Sequence, residues 1–92
     1  MALFPITGRF AGDFVPHLIP VDTGDTMDEI AAKVAVHSVG RRVAQPPGKP
    51  GYEVLLHGRP LPATITLAAV MSEQEILPLQ WFDVRFRETA DA

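Results

Sequence analysis

The sequence predicts an α+β domain in which a mixed sheet of four or five strands carries one main helix on one face. Three observations lead there: an alternating apolar pattern opens the chain, one central stretch has helical periodicity, and a second clean alternation closes it. With a single amphipathic helix available, covering one face of one sheet is the economical packing. The chain has 92 residues, 47% hydrophobic and 21% charged, a balance that collapses around one core and leaves no length for a second. Residues 1–92 are therefore expected to form a single domain.

The opening elements follow from residue spacing. Phe4, Ile6 and Phe10 fall on one side of a two-residue period, and Ala11-Gly12-Asp13 supplies turn chemistry before a β-rich run from Phe14 to Val21. This pair reads as a hairpin. Pro16 and Pro20 cannot donate to a ladder, so the second strand belongs at the sheet edge. After Asp22 the period changes. Thr23-Gly24-Asp25 is loop, and Thr26-Met27-Asp28-Glu29 offers a capping box that starts a helix. Met27, Ile30, Ala31, Val34, Ala35 and Ser38 form its buried stripe, while Asp28, Glu29, Ala32, Lys33 and Val36 point outward. Asp28 and Glu29 at the positive end, and Arg41 and Arg42 beyond the negative end, suit the helix dipole. Gly40 is a natural left-handed residue to follow the helix.

The second half is punctuated more heavily. Pro46, Pro47, Gly48, Pro50 and Gly51 make residues 45–51 a flexible loop. Tyr52 to His57 alternates as a strand, and Gly58-Arg59-Pro60-Leu61-Pro62 turns the chain with room for only a very short further strand. Thr64 to Met71 suffices for one or two helical turns. The run from Trp81 to Arg87 is a strand with Phe82, Val84 and Phe86 inward and Trp81, Asp83, Arg85 and Arg87 outward. Residues 88–92 are expected to fray. This order, with right-handed crossovers, predicts the ubiquitin-like β-grasp, in which the last strand is central and parallel to the first. A ferredoxin-like split βαβ would need two helices of comparable length.

Several chemistries are excluded by composition. The chain has no cysteine, which removes disulfides, thiolate zinc sites, thiolate nucleophiles and the cysteine-held clusters that plant-type ferredoxins mount on a β-grasp. Eight Lys and Arg against eleven Asp and Glu give a net charge of −3, a poor basis for binding nucleic acid. The N-terminal residues lack a basic segment followed by an apolar run, and no stretch approaches about 18 apolar residues, so a cytoplasmic protein off the membrane is expected. His17, His37 and His57 sit on three different elements without metal-ligand spacing, and no Glu is followed by His three residues later. Ser38 and Ser72 lack a nucleophile elbow, and Gly48-Lys49-Pro50 lacks the hydroxyl and frame of a phosphate loop. The closing Glu88-Thr89-Ala90-Asp91-Ala92 is not the Gly-Gly through which ubiquitin-type modifiers and sulfur carriers act. No catalytic, cofactor-binding or metal residue is expected in this chain.

What remains is surface. Trp81 falls on the outward side of the last strand beside Arg85, and Trp and Arg are the residue types that most often anchor interfaces. The alternative is that Trp81 folds over the sheet edge as satellite core. Arg41-Arg42 reads either as helix-end electrostatics or as a clamp on a partner carboxylate.

The stretch from the N terminus through the helix exit also carries a resemblance. Phe4-Pro5, Asp13-Phe14, Val21-Asp22, Asp25, Met27-Asp28, Ala32-Lys33-Val34-Ala35, His37, Val39 and Arg41-Arg42-Val43-Ala44 resemble the protein B family of toluene-4-monooxygenase. This family supplies the γ subunit of bacterial multicomponent toluene, aromatic and alkene monooxygenase hydroxylases. Thr64-Ile65-Thr66, Asp83-Val84, Phe86 and Glu88 extend the likeness to about three quarters of the chain, while residues 45–51 and 71–80 depart from it. The resemblance implies a non-catalytic, ubiquitin-like subunit that binds the large α subunit of an (αβγ)₂ hydroxylase. The diiron centre and hydrocarbon pocket would lie on the α chain, with electrons arriving through a reductase and a Rieske ferredoxin and a small effector protein acting on the complex. It marks His37, Arg41 and Arg42 as motif members; with Trp81 and Arg85 these are the expected partner-interface residues. A free-standing ubiquitin-like binding or regulatory module that docks transiently, as an effector does, is the alternative.

Overall fold

The computed structural model describes residues 2–13, 15–40, 43–44 and 51–87. Five strands and two helices follow one another as β1 (Leu3–Phe10), β2 (His17–Asp22), α1 (Met27–Ala35), β3 (Tyr52–Leu56), β4 (Arg59–Pro60), α2 (Leu67–Glu73) and β5 (Trp81–Phe86). They build one mixed sheet in the order β2-β1-β5-β3-β4. The hairpin β1–β2 is antiparallel, β5 lies parallel to β1, and β3 pairs antiparallel with both β5 and β4. This is the expected β-grasp order. The edge position of β2 accommodates Pro20, which stands opposite Pro5, so that two residues without an amide proton share one level of the ladder.

The core lies between the sheet and α1. Ile6 and Phe10 of β1, Ile30 and Val34 of α1, and Phe82 and Val84 of β5 are fully buried there. Burying six such side chains contributes on the order of 1.5–3 kcal/mol each before the entropy of ordering them is subtracted. Gly8 sits at the closest approach of strand and helix, where a Cβ would meet Val34 Cγ2 at 2.6 Å. At the far end Phe10 packs edge-on against Phe86 and Tyr52, with ring centroids at 4.9 and 5.8 Å.

Both helices begin in a shared arrangement. The amides of Met27 and Asp28 donate to the carbonyls of Ile65 and Ala63, and those of Leu67 and Ala68 donate to Asp25 and Thr23. Each helix thus has its first two amides taken by the loop that precedes the other. The third amide is capped by the helix's own threonine, Glu29 N to Thr26 Oγ1 and Ala69 N to Thr66 Oγ1. The Glu29 carboxylate accepts from the Thr26 amide at 2.8 Å, completing the expected capping box.

Four expectations need correction. Strand β2 starts at His17 rather than at position 14; Pro16 precedes it, and Phe14 lies outside the described residues. Helix α1 ends at Ala35, because the following amides of His37 and Ser38 turn to carbonyls only three residues back, which tightens the chain and carries Ser38 inward. Gly40, at φ 82°, therefore serves a later turn closed by the bonds Gly40 N to Val43 O and Val43 N to Ser38 O, and does not cap the helix. Strand β3 does not alternate: Val54, Leu55 and Leu56 are all buried, because Leu55, on the side away from α1, lies between neighbours on β4 and β5. The loop at 45–50, the pair Arg41-Arg42 and the tail at 88–92 lie outside the described residues.

Candidate interaction surface

The sheet has two faces, and residue parity assigns every strand position to one of them. On β1, Ile6, Gly8 and Phe10 are buried toward α1, so Leu3, Pro5, Thr7 and Arg9 point the other way. Register then fixes the neighbours: Thr7 stands opposite Leu18 on one side and Trp81 on the other, and Arg9 opposite Asp83. Glu53 pairs across with Arg85. The outer face therefore carries a central row of Leu18, Thr7 and Trp81, with charged residues toward the end where β1 and β5 finish.

Those charges are matched within the chain. Arg9 approaches Asp83 at 3.6 Å and Arg85 approaches Glu53 at 3.2 Å. The Trp81 indole donates Nε1–H to Asp83 Oδ1 at 3.0 Å, and the Arg9 guanidinium lies 5.6 Å from the ring centroid. Trp81 thus has its only donor satisfied and its ring held by a cation. It is 42% exposed on the central strand, so it is an outward residue and not satellite core folded over an edge.

The other expected interface residues do not join it. His37 lies in the turns after α1, on the helix layer, stacked on His17 with ring centroids at 5.0 Å and an interplanar angle of 26°. Trp81 and Arg85 occupy the opposite side of the sheet, so His37 and Trp81 cannot share the centre of one flat contact. Arg41 and Arg42 are outside the described residues. Next to His37 in the chain, the buried Ser38 hydroxyl donates to Asp13 Oδ2 at 2.6 Å, and Asp13 Oδ1 accepts from the Val15 amide. Sequence reasoning missed both pairs, since no local spacing signals a contact between the hairpin turn and the helix exit.

Two shallow grooves complete the surface. One of about 310 Å³ is lined by Ala32, Ala35, Val36, Val39 and Tyr52. The other, about 460 Å³, includes His57, Arg59 and Gln74 among its lining residues. Neither brings a nucleophile and a base together. Among the described residues no group of three or more His, Cys, Asp and Glu is arranged to hold a metal ion, and no helix is long and apolar enough to cross a membrane.

Fold and surface define a ubiquitin-like β-grasp protein whose main offering is an apolar sheet face bordered by self-paired charges. The chain belongs to the family described as toluene-4-monooxygenase system protein B, whose family model matches residues 3–86. It is 64% identical over 88 residues to the alkene monooxygenase system, oxygenase component subunit gamma, of Xanthobacter autotrophicus, a match covering 96% of this chain and 100% of that relative. A chain of the toluene 4-monooxygenase HD complex with the inhibitor 4-bromobenzoate superposes with a TM-score of 0.78 at 36% identity, covering 94% of this chain and 100% of that one. The ubiquitin of Caldiarchaeum subterraneum superposes at 0.65 with 21% identity, covering 97% and 99%, which is a likeness of fold.

Proposed function

We propose that this chain is the small γ subunit of the hydroxylase in a diiron multicomponent monooxygenase that oxidises alkene or aromatic hydrocarbons. Its role is to bind and support the large α subunit, with no catalytic step of its own. The observation that carries this reading is the 64% identity over the full length of a relative named as an oxygenase-component γ subunit. The 36% identical chain within the toluene 4-monooxygenase complex supports the same role. On this reading the hydroxylase is an (αβγ)₂ assembly in the cytoplasm. The metal and the hydrocarbon pocket are on the α chain, and a reductase, a Rieske ferredoxin and an effector protein complete the system. This chain contributes no ligand to the iron.

Co-expression with the α and β chains of the same host tests the proposal. A permanent subunit co-elutes in equal stoichiometry at roughly 0.5 M NaCl, where exposed charges are screened within about 4 Å. The isolated chain should show neither hydrocarbon turnover nor bound iron. A chain that elutes alone while α and β assemble without it would sink the reading, and one that joins only transiently would mark it as an effector-like module.

A further inference from the structure

We propose that the outer face of the sheet, centred on the row Leu18, Thr7 and Trp81, is the surface that seats on the hydroxylase's large subunit. The face takes a partner patch that is itself apolar and free of unpaired charge. This rests on the γ-subunit reading above and adds to it which side of the chain makes the contact, and with what chemistry.

Exposed apolar side chains are concentrated there. Six large hydrophobic residues are exposed among the described residues; Leu3, Leu18 and Trp81 stand on the outer face, and Leu77 and Leu79 lie in the loop that feeds β5. The Leu79 amide donates to the Pro5 carbonyl at 2.8 Å, which ties that loop to the same end of the sheet. Only Val36 lies elsewhere, on the helix layer. Leu18 is 66% exposed on an edge strand, an arrangement that costs solubility in a chain that stays alone.

Charge and area both bear on the occupant. Two cations and two anions border the apolar row and each is already paired within the chain, Arg9 with Asp83 and Arg85 with Glu53. A charged partner would have to compete with these pairs, whereas an apolar and uncharged one leaves them intact at the rim. The charges of the helix layer are paired within the chain as well, Lys33 with Asp25 and Asp28 with Arg87, so the two sides differ in exposed apolar residues: Val36 alone among the described residues of the helix layer, against Leu3, Leu18 and Trp81 on the sheet. The five strands hold 27 residues, which at about 3.3 Å per residue and about 4.8 Å between strands span a flat area on the order of 430 Å². That is about half of the roughly 800 Å² that one side of a standard stable interface buries, and the adjoining loop that carries Leu77 and Leu79 adds to it; permanent interfaces are the more apolar class. A permanent seat on a large subunit suits this face better than a salt-dependent encounter.

The test uses the full chain co-expressed with the α and β chains. Leu18→Asp and Trp81→Asp should each weaken retention by at least about 30-fold, as loss of a central anchor does. Circular dichroism should show both variants folded with a cooperative transition, the Leu18→Asp midpoint within about 3 °C of the parent and the Trp81→Asp midpoint lower, because Trp81 also holds Asp83 and Arg9. Ala32→Glu and His37→Ala, on the helix layer, should leave retention within threefold. Retention that is lost with the helix-layer variants and kept with the sheet-face variants would overturn the proposal. So would a homodimer of the isolated chain that both Asp variants dissociate while still joining the hydroxylase. Failure of the parent chain itself to co-elute would overturn the subunit reading instead, so the two failures are distinguishable.

Discussion

At the scale of single residues, two close contacts set how the helix meets the first strand. Gly8 stands under Val34 with no room for a side-chain carbon, so Gly8→Ala should lower stability by about 1–3 kcal/mol in urea unfolding, with part of the loss recovered in the double variant with Val34→Ala. The buried Ser38–Asp13 hydrogen bond joins the helix exit to the hairpin turn. Helical spacing predicts Ser38 to be buried, as it is, although the turn after α1 rather than the helix carries it inward, and spacing could not identify the partner. Asp13 follows Gly12 and reads as ordinary turn chemistry, and only the hairpin's return past α1 brings it to Ser38. The stack of His17 on His37 has the same origin, since it depends on where β2 starts. Side-chain parity on β5, in contrast, was fully legible: a two-residue period placed Phe82 and Val84 inside and Trp81 and Arg85 outside, as observed.

At the scale of elements, the two helices illustrate what a local pattern can and cannot reveal. The capping box of α1 lies within four consecutive residues and was readable directly. Helix α2 has only seven residues, too few to be stable by propensity, and its first amides depend on carbonyls some forty positions earlier. Because the two N termini share one set of bonds, Thr26→Ala and Thr66→Ala should each cost about 1 kcal/mol. Their double variant should depart from additivity by at least about 0.5 kcal/mol in thermal or urea unfolding. Asp25, in the loop that supplies one of these carbonyls, offers a pH test. Burial raises its pKa, but the hydrogen bond from Lys33 Nζ at 2.6 Å, the Asp22 amide and the Lys33 charge outweigh that and hold it below the usual 3.8. A lowered folded value means the carboxylate stabilises the fold fully above 3.8, and that this contribution fades as the pH falls through the lowered value. Asp25→Asn should therefore be less stable at neutral pH and lose less stability on acidification, as followed by unfolding at a series of pH values.

At the scale of the whole molecule, the strand order places β5 at the centre, with its outward residues in the middle of a face that no described helix covers and its inward residues in the core. Prolines, one helix and two alternating strands were enough to predict this topology. How the expected interface residues divide between the two sides of the sheet was not legible, because His37 and Trp81 are separated by a layer that only the folded chain defines. The split turns a loose set of surface residues into a choice between two faces, and the more apolar sheet face is the one that suits a permanent seat. Site-specific photo-crosslinking within the assembled hydroxylase addresses that choice most directly. A benzophenone side chain placed at Leu18 should capture the large subunit and one placed at Ala32 should not; capture from Ala32 alone would contradict the account.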